Sequence, residues 1–150
     1  MKIYVASSWR NEKQPGVVQA LREAGYEVYD FKEPIAGNVG FGWKEVDPDW
    51  QRWSVEEYKK ALEHPLALAG YKSDWSAMRG ADMCVLVLPC GRSAHLEAGY
   101  FVGAKKVLLI LVEDAQEPEL MYKMADKVCG SLHEVLTFCA LNKHWIINGK

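Results

Sequence analysis

Met83-Cys84-Val85-Leu86-Val87-Leu88, followed by Pro89 and then Cys90-Gly91-Arg92-Ser93-Ala94-His95-Leu96-Glu97-Ala98-Gly99-Tyr100, is the stretch that decides the fold. The first six residues are uniformly apolar, as in a strand covered on both faces. The next eleven open a helix. Gly91 and Ser93 suit a turn that leaves backbone N–H groups free at the helix N-terminus, a natural anion site. Within the second turn sits Glu97, among Ala94, Leu96, Ala98 and Gly99. A carboxylate among small and apolar neighbours, just past the carboxyl end of a strand, stands where open α/β sheets hold their ligands.

Working outward, the same strand-then-helix alternation recurs. Lys2 to Ala6 reads as a first strand, and Ser7-Ser8-Trp9-Arg10-Asn11 as the loop after it. A helix follows from about Pro15, with Val17, Val18, Leu21 and Ala24 on its apolar stripe and Gly25 as its stop. Tyr26 to Phe31 alternates polar and apolar residues, the pattern of an edge strand. Val107 to Val112 is a fourth strand, Pro118 to Met124 a short helix, and Lys127 to Cys129 a short fifth strand. Ser131-x-x-Glu134 caps a last helix to about Leu141. The fold expected is α/β, a flavodoxin- or Rossmann-like three-layer sandwich. Its parallel sheet of about five strands runs in the order 2-1-3-4-5.

The segment of about 32–65 departs from this rhythm. It carries Pro34, Gly37, Gly40, Gly42 and Pro48 together with Trp43, Trp50 and Trp53. A long loop rich in tryptophan is a functional insertion rather than a disordered one. Ser54-x-x-Glu57 opens a helix to about Glu63, His64-Pro65 stops it, and a further helix spans about Ser73 to Gly80.

Bulk properties narrow the function. A chain of 150 residues is expected to form a single domain. A net charge of −2 gives no general attraction to nucleic acid or to an anionic membrane. The longest apolar run, Val107 to Val112, is far below the ~20 residues that cross a bilayer. The chain opens directly on a strand without a signal peptide, so a cytoplasmic setting is expected. Its four cysteines, Cys84, Cys90, Cys129 and Cys139, show neither C-x-x-C pairing nor zinc spacing, and neither a metal nor a cofactor is expected. Cys84 and Cys139 read as small buried hydrophobes. Cys90, in the loop before the glutamate helix, lacks a helper base placed by sequence.

The predicted topology brings two loops together, the one after the first strand and the one after the third. Ser7, Ser8, Trp9, Arg10, Gly91, Arg92 and Ser93 then flank one crevice and suit a phosphate or another anion. Glu97 on the crevice helix and Asp74 on the helix before the third strand can converge there, and two carboxylates in unlike environments divide chemical roles. Asp82 reads as a turn or cap residue. His95, two residues from Glu97, points elsewhere on the helix and reads as a surface or packing histidine. A tryptophan of the insertion, Trp43 foremost, suits stacking on a nucleobase. The C-terminal Lys143-His144-Trp145-Ile146-Ile147-Asn148 is apolar enough to pack on the chain itself or on a partner.

Ile3-Tyr4-Val5-Ala6-Ser7-Ser8-Trp9-Arg10, Asp74 ahead of Ala81-Asp82 and its strand, and Leu96-Glu97-Ala98-Gly99 resemble the nucleoside 2-deoxyribosyltransferase superfamily, which includes the 2′-deoxynucleoside 5′-monophosphate N-glycosidases. The resemblance covers residues 1–31 and 72–125. It implies cleavage of an N-glycosidic bond on a flavodoxin-like fold, with Glu97 as nucleophile, Asp74 near sugar and base, and Tyr4 as a third catalytic residue. It also implies that Arg10 and the loop from Gly91 to Ser93 contact a 5′-phosphate. The substrate would be a nucleoside or nucleotide, handled by a homo-oligomer. The chain is also similar to TIR-like bacterial proteins, whose glutamate cleaves the nicotinamide–ribose bond. That makes NAD an alternative substrate, and a non-catalytic nucleotide-binding module is the third reading.

Overall fold

A computed structural model describes residues 1–35, 37 and 39–148. Two compact units make up the chain: residues 1–30 together with those from 80 on, and residues 31–79.

The first unit holds a five-stranded sheet of β1 (Lys2–Ala6), β2 (Glu27–Asp30), β3 (Met83–Val87), β4 (Val107–Leu111) and β5 (Lys127–Cys129). All neighbours are parallel and the order is β2-β1-β3-β4-β5, as the strand–helix alternation predicts. Its helices are α1 (Gln14–Glu23), α4 (Arg92–Gly103) and α5 (Leu132–Asn148); α2 (Val55–Leu62) and nearly all of α3 (Pro65–Gly80) belong to the other unit. Alternation along β1, β3 and β4 sorts their side chains onto two faces. Ile3, Val5, Met83, Val85, Val87, Leu109 and Leu111 join Val17, Val18 and Leu21 of α1 and Val135, Cys139 and Ile146 of α5 in one buried cluster. On the other face Tyr4 packs against Phe101 of α4, with ring centroids 5.8 Å apart. Every residue of β3 and β4 is buried, which is why both strands read as unbroken apolar runs.

Gly25, at φ 84°, adopts the left-handed conformation that ends α1, while the Tyr26 N–H donates back to the Leu21 carbonyl at 3.2 Å. Only a residue without Cβ takes that backbone without strain.

Three helix expectations need correction. The helix expected from Ser73 begins at Pro65, because proline fits a first helical turn, where no N–H is required. The last helix continues to Asn148 rather than stopping near Leu141, since no breaker intervenes and Ile146 returns to the buried face. The tail residues 143–148 are therefore its final turns, with Trp145 edge-on to Phe138 at 6.4 Å. The helix expected over Pro118–Met124 is a 3-10 helix, Leu120–Met124.

In the second unit, Ser54 and Glu57 form the expected capping box at the start of α2. The tryptophan segment is not bare loop. It carries 3-10 turns at Trp43–Glu45 and Trp50–Arg52. The Trp43 ring meets Phe41 and Trp53 edge-on, at 4.8 and 5.6 Å between centroids. The Trp53 indole N–H donates to Asp47 Oδ2 at 2.6 Å. The backbone at Gly70 lies so close to Phe41 that a Cβ there would stand 2.7 Å from the phenylalanine Cβ.

Candidate active site

β1 and β3 are adjacent and in register, Tyr4 beside Cys84 and Ala6 beside Leu86, so the loops that leave them start side by side. The two loops are tied by side chains. Ser7 Oγ donates to the Val87 carbonyl at 2.8 Å. Asn11, only 4% exposed, donates through Nδ2 to the carbonyls of Val87 at 3.3 Å and Pro89 at 3.1 Å, and its Oδ1 accepts the Lys13 N–H at 2.9 Å. Ser8 Oγ accepts the Arg10 N–H at 3.2 Å. Ser7 and Ser8 thus shape the loops, while Trp9 and Arg10 are exposed.

The second loop feeds α4 through Gly91 as its N-cap in extended conformation, and Arg92 and Ser93 form its exposed first turn. Glu97 follows in the second turn, half-buried. Its charge is felt by two thiols of this region. Burial pushes the Cys84 thiol well above its ordinary value, and the Glu97 carboxylate adds to that rise. Burial, then Glu97, push the Cys90 thiol up to about 11. A thiol this reluctant to ionise is a poor nucleophile at neutral pH.

His95 is exposed, as expected, yet it is far from idle. Its Nδ1 lies 3.0 Å from the Gly91 carbonyl and 3.5 Å from Cys90 Sγ, and its Nε2 lies 3.0 Å from the Tyr122 hydroxyl. The two rings stack nearly parallel, 5.9 Å apart. A carbonyl only accepts, so Nδ1 carries a proton, while Nε2 pairs with the tyrosine hydroxyl. The nitrogen nearest the thiol is thus already protonated and cannot serve Cys90 as a base.

Tyr4 is fully buried, stacked on Tyr29 at 5.3 Å. Asp82 behaves as a turn residue, accepting the Lys2 N–H through Oδ2 at 2.7 Å. Asp74 and Trp43 lie in the second unit, Asp74 half-buried on α3 and Trp43 within its own aromatic cluster. Beside Asp74, Trp75 stacks on Tyr71 with centroids 6.2 Å apart.

Sequence reading missed three polar contacts: the Asn11 clamp, the His95–Tyr122 pair, and a buried hydrogen bond from Gln14 Nε2 to Asp30 Oδ1 of 2.8 Å. Each joins residues at least 16 apart in the chain, so no local spacing marks it.

Among the described residues, no group of three or more His, Cys, Asp or Glu is arranged to hold a metal ion, and no helix is long and apolar enough to cross a membrane.

No family model matches this chain, and no curated protein matches it. Solved structures do. A 2-deoxyribosyltransferase of Bacillus psychrosaccharolyticus is 21% identical with a TM-score of 0.64, covering 91% of this chain and 90% of its own. The CMP N-glycosidase of Clostridium botulinum is 13% identical with a TM-score of 0.51, covering 93% and 99%. A conserved protein of Enterococcus faecalis V583 is 14% identical with a TM-score of 0.64, covering 95% and 98%. Over nearly its whole length the chain has the fold of these three proteins.

Proposed function

We propose that this protein cleaves the N-glycosidic bond of a nucleoside or nucleoside 5′-monophosphate, by hydrolysis or by transfer to a second base, and belongs to the nucleoside 2-deoxyribosyltransferase-like superfamily. The observation that carries the reading is the half-buried Glu97 in the second turn of α4, the helix that follows the carboxyl end of β3. It is supported by the fold shared with a 2-deoxyribosyltransferase and a CMP N-glycosidase, two enzymes named for chemistry on such bonds.

In this reading a Glu97 carboxylate oxygen attacks C1′ of the sugar through an oxocarbenium-like transition state. The C1′–N bond breaks, its electron pair leaves with the base, and the base takes a proton from Asp74 or from water. Water, or a second base, then attacks C1′ and releases the Glu97 carboxylate. Tyr4, on β1, is the third catalytic residue of this reading. Arg10, Gly91, Arg92 and Ser93 hold the 5′-phosphate, with Ser7, Ser8 and Trp9 shaping the opposite wall and Trp43 stacking on the base. The domain is a single catalytic module with the tryptophan segment as its insertion, acting as a homo-oligomer.

The test is chromatographic detection of free base over ribo- and deoxyribonucleosides, their 5′-monophosphates and NAD. Release from a nucleoside or monophosphate supports the proposal and names the substrate. Nicotinamide alone moves the chemistry to NAD. Ligand binding without any release leaves a binding module and overturns it.

A further inference from the structure

We infer that the outer face of α2 is a self-docking surface, on which a second copy of this chain seats the same helix antiparallel to the first. The inference rests on the homo-oligomer of the proposed function and names one of its contacts. Of the eight residues of α2 only Ala61 is buried. Val55, Tyr58 and Leu62 are 74%, 55% and 44% exposed. Their spacing of i, i+3 and i+7 sets all three on one stripe of the helix, about a quarter turn from Ala61. Single exposed apolar side chains are ordinary, but an aligned stripe on a helix this short is not. Helices of fewer than about 12 residues are marginal in water and take their stability from an apolar face packed on something.

The charges around the stripe decide which occupant fits. α2 is acidic in its first turn, at Glu56 and Glu57, and basic in its last, at Lys59 and Lys60. The Glu57 carboxylate is taken by the cap, accepting the Ser54 N–H and hydroxyl. Glu56 and Lys59 are left on the flank, 3.2 Å apart within the helix. A parallel copy in register would set like charge beside like. An antiparallel copy, related by a two-fold axis near Tyr58, sets Glu56 and Lys59 beside Lys59 and Glu56 of the second chain, so that the two pairs close into one group of four alternating charges. Val55 of each copy then lies across from Leu62 of the other, with the two Tyr58 side chains at the centre, and the helix dipoles oppose. A uniformly acidic or basic partner would match only one turn of this helix. The contact is isologous and closes at two copies.

Sedimentation velocity of the full chain over a wide range of concentration reads the self-association, with matched circular dichroism for each variant. Tyr58→Glu sets a charge at the centre of the contact and is expected to weaken association by about tenfold or more. Glu56→Lys and Lys59→Glu each leave the flank with one sign of charge and weaken it by roughly threefold to tenfold. Mixing these two variants restores association, because each supplies the charge that the other lacks. The mixture cannot rebuild the Glu56–Lys59 pair within either helix, so recovery there reports contact between copies and not the stability of α2.

Should Tyr58→Glu fail to fold, the two charge variants and their mixture carry the test. A monomer at every concentration overturns the inference and the homo-oligomer with it. An oligomer that these variants leave unchanged, or a mixture that associates no better than its components, overturns the inference alone, since the copies then meet elsewhere. The chemistry is read separately by base release. The expected association pattern without base release keeps the contact and overturns the proposed reaction.

Discussion

Asn11→Ala is expected to weaken the fold at the point where its two site loops meet. The side chain is buried, bonds the carbonyls of Val87 and Pro89, and accepts the Lys13 N–H. The Val87 carbonyl keeps its Ser7 partner at 2.8 Å, so truncation does not strand it. The Pro89 carbonyl and the Lys13 N–H are only partly covered and can turn to water. At ~0.5–1.5 kcal/mol net per intramolecular hydrogen bond, the loss is about 2 kcal/mol rather than the sum of three fully orphaned groups. For a chain of this size that lowers Tm by roughly 4–8 °C. Asn11→Asp separates hydrogen bonding from packing, because it keeps the volume but sets a carboxylate oxygen against two carbonyl oxygens. It is expected to be less stable than Asn11→Ala at pH 7. Urea denaturation followed by circular dichroism reads both. A loss below about 0.5 kcal/mol for Asn11→Ala, or an aspartate variant more stable than the alanine one, would refute the clamp.

The remaining predictions are local. Gly70→Ala is expected to cost about 1–3 kcal/mol by overpacking against Phe41, despite alanine's higher helix propensity, whereas Gly99→Ala, with nothing within 4 Å of its added Cβ, gains ~0.5–1 kcal/mol; thermal melts of the pair check the contrast. Asp47 is held below the usual carboxylate value by the Trp53 indole and then the Asp49 N–H, and Glu57 by the Ser54 hydroxyl and N–H. Both contribute stability that is present above their unfolded pKa and lost as pH falls through the folded one, so acid titration of tryptophan emission should lose its acid-side transition component in Asp47→Ala. The Lys13 ammonium is raised by Asp114, so its contribution is instead present below its unfolded pKa and lost as pH rises through the folded value. Cys90, with its thiol pushed up to about 11, should alkylate slowly at neutral pH and speed up about tenfold per pH unit below that value; mass mapping that found fast labelling at pH 7 would contradict it.

The sheet was legible because β3 and β4 are buried on both faces and their residues say so without interruption. β2, of mixed polarity, lies at the sheet edge as expected, although its exposure runs from exposed Glu27 to buried Asp30 rather than alternating, and the order of strands follows from right-handed crossovers rather than from any single residue. Helix boundaries were legible where a capping box or a Gly25 stands and where His64-Pro65 stops α2, and misplaced where the same Pro65 also opens α3, well before Ser73. At the candidate site, the Gly91 turn and the position of Glu97 are local and were readable. The partners of Asn11 and His95 were not, because Val87 lies 76 residues from Asn11 and Tyr122 lies 27 from His95. The same blindness hid the aromatic cluster of Phe41, Trp43 and Trp53, which reads as loop composition until the rings are seen edge to edge.

The central claim is that Glu97 performs the bond cleavage. The direct measurement is base release by Glu97→Gln, beside the parent enzyme on the same substrate, with matched circular dichroism and Tm. The account predicts an intact fold and a rate about a thousandfold lower or less, the scale on which removal of a nucleophile acts. A folded Glu97→Gln variant that releases base within about tenfold of the parent would contradict it.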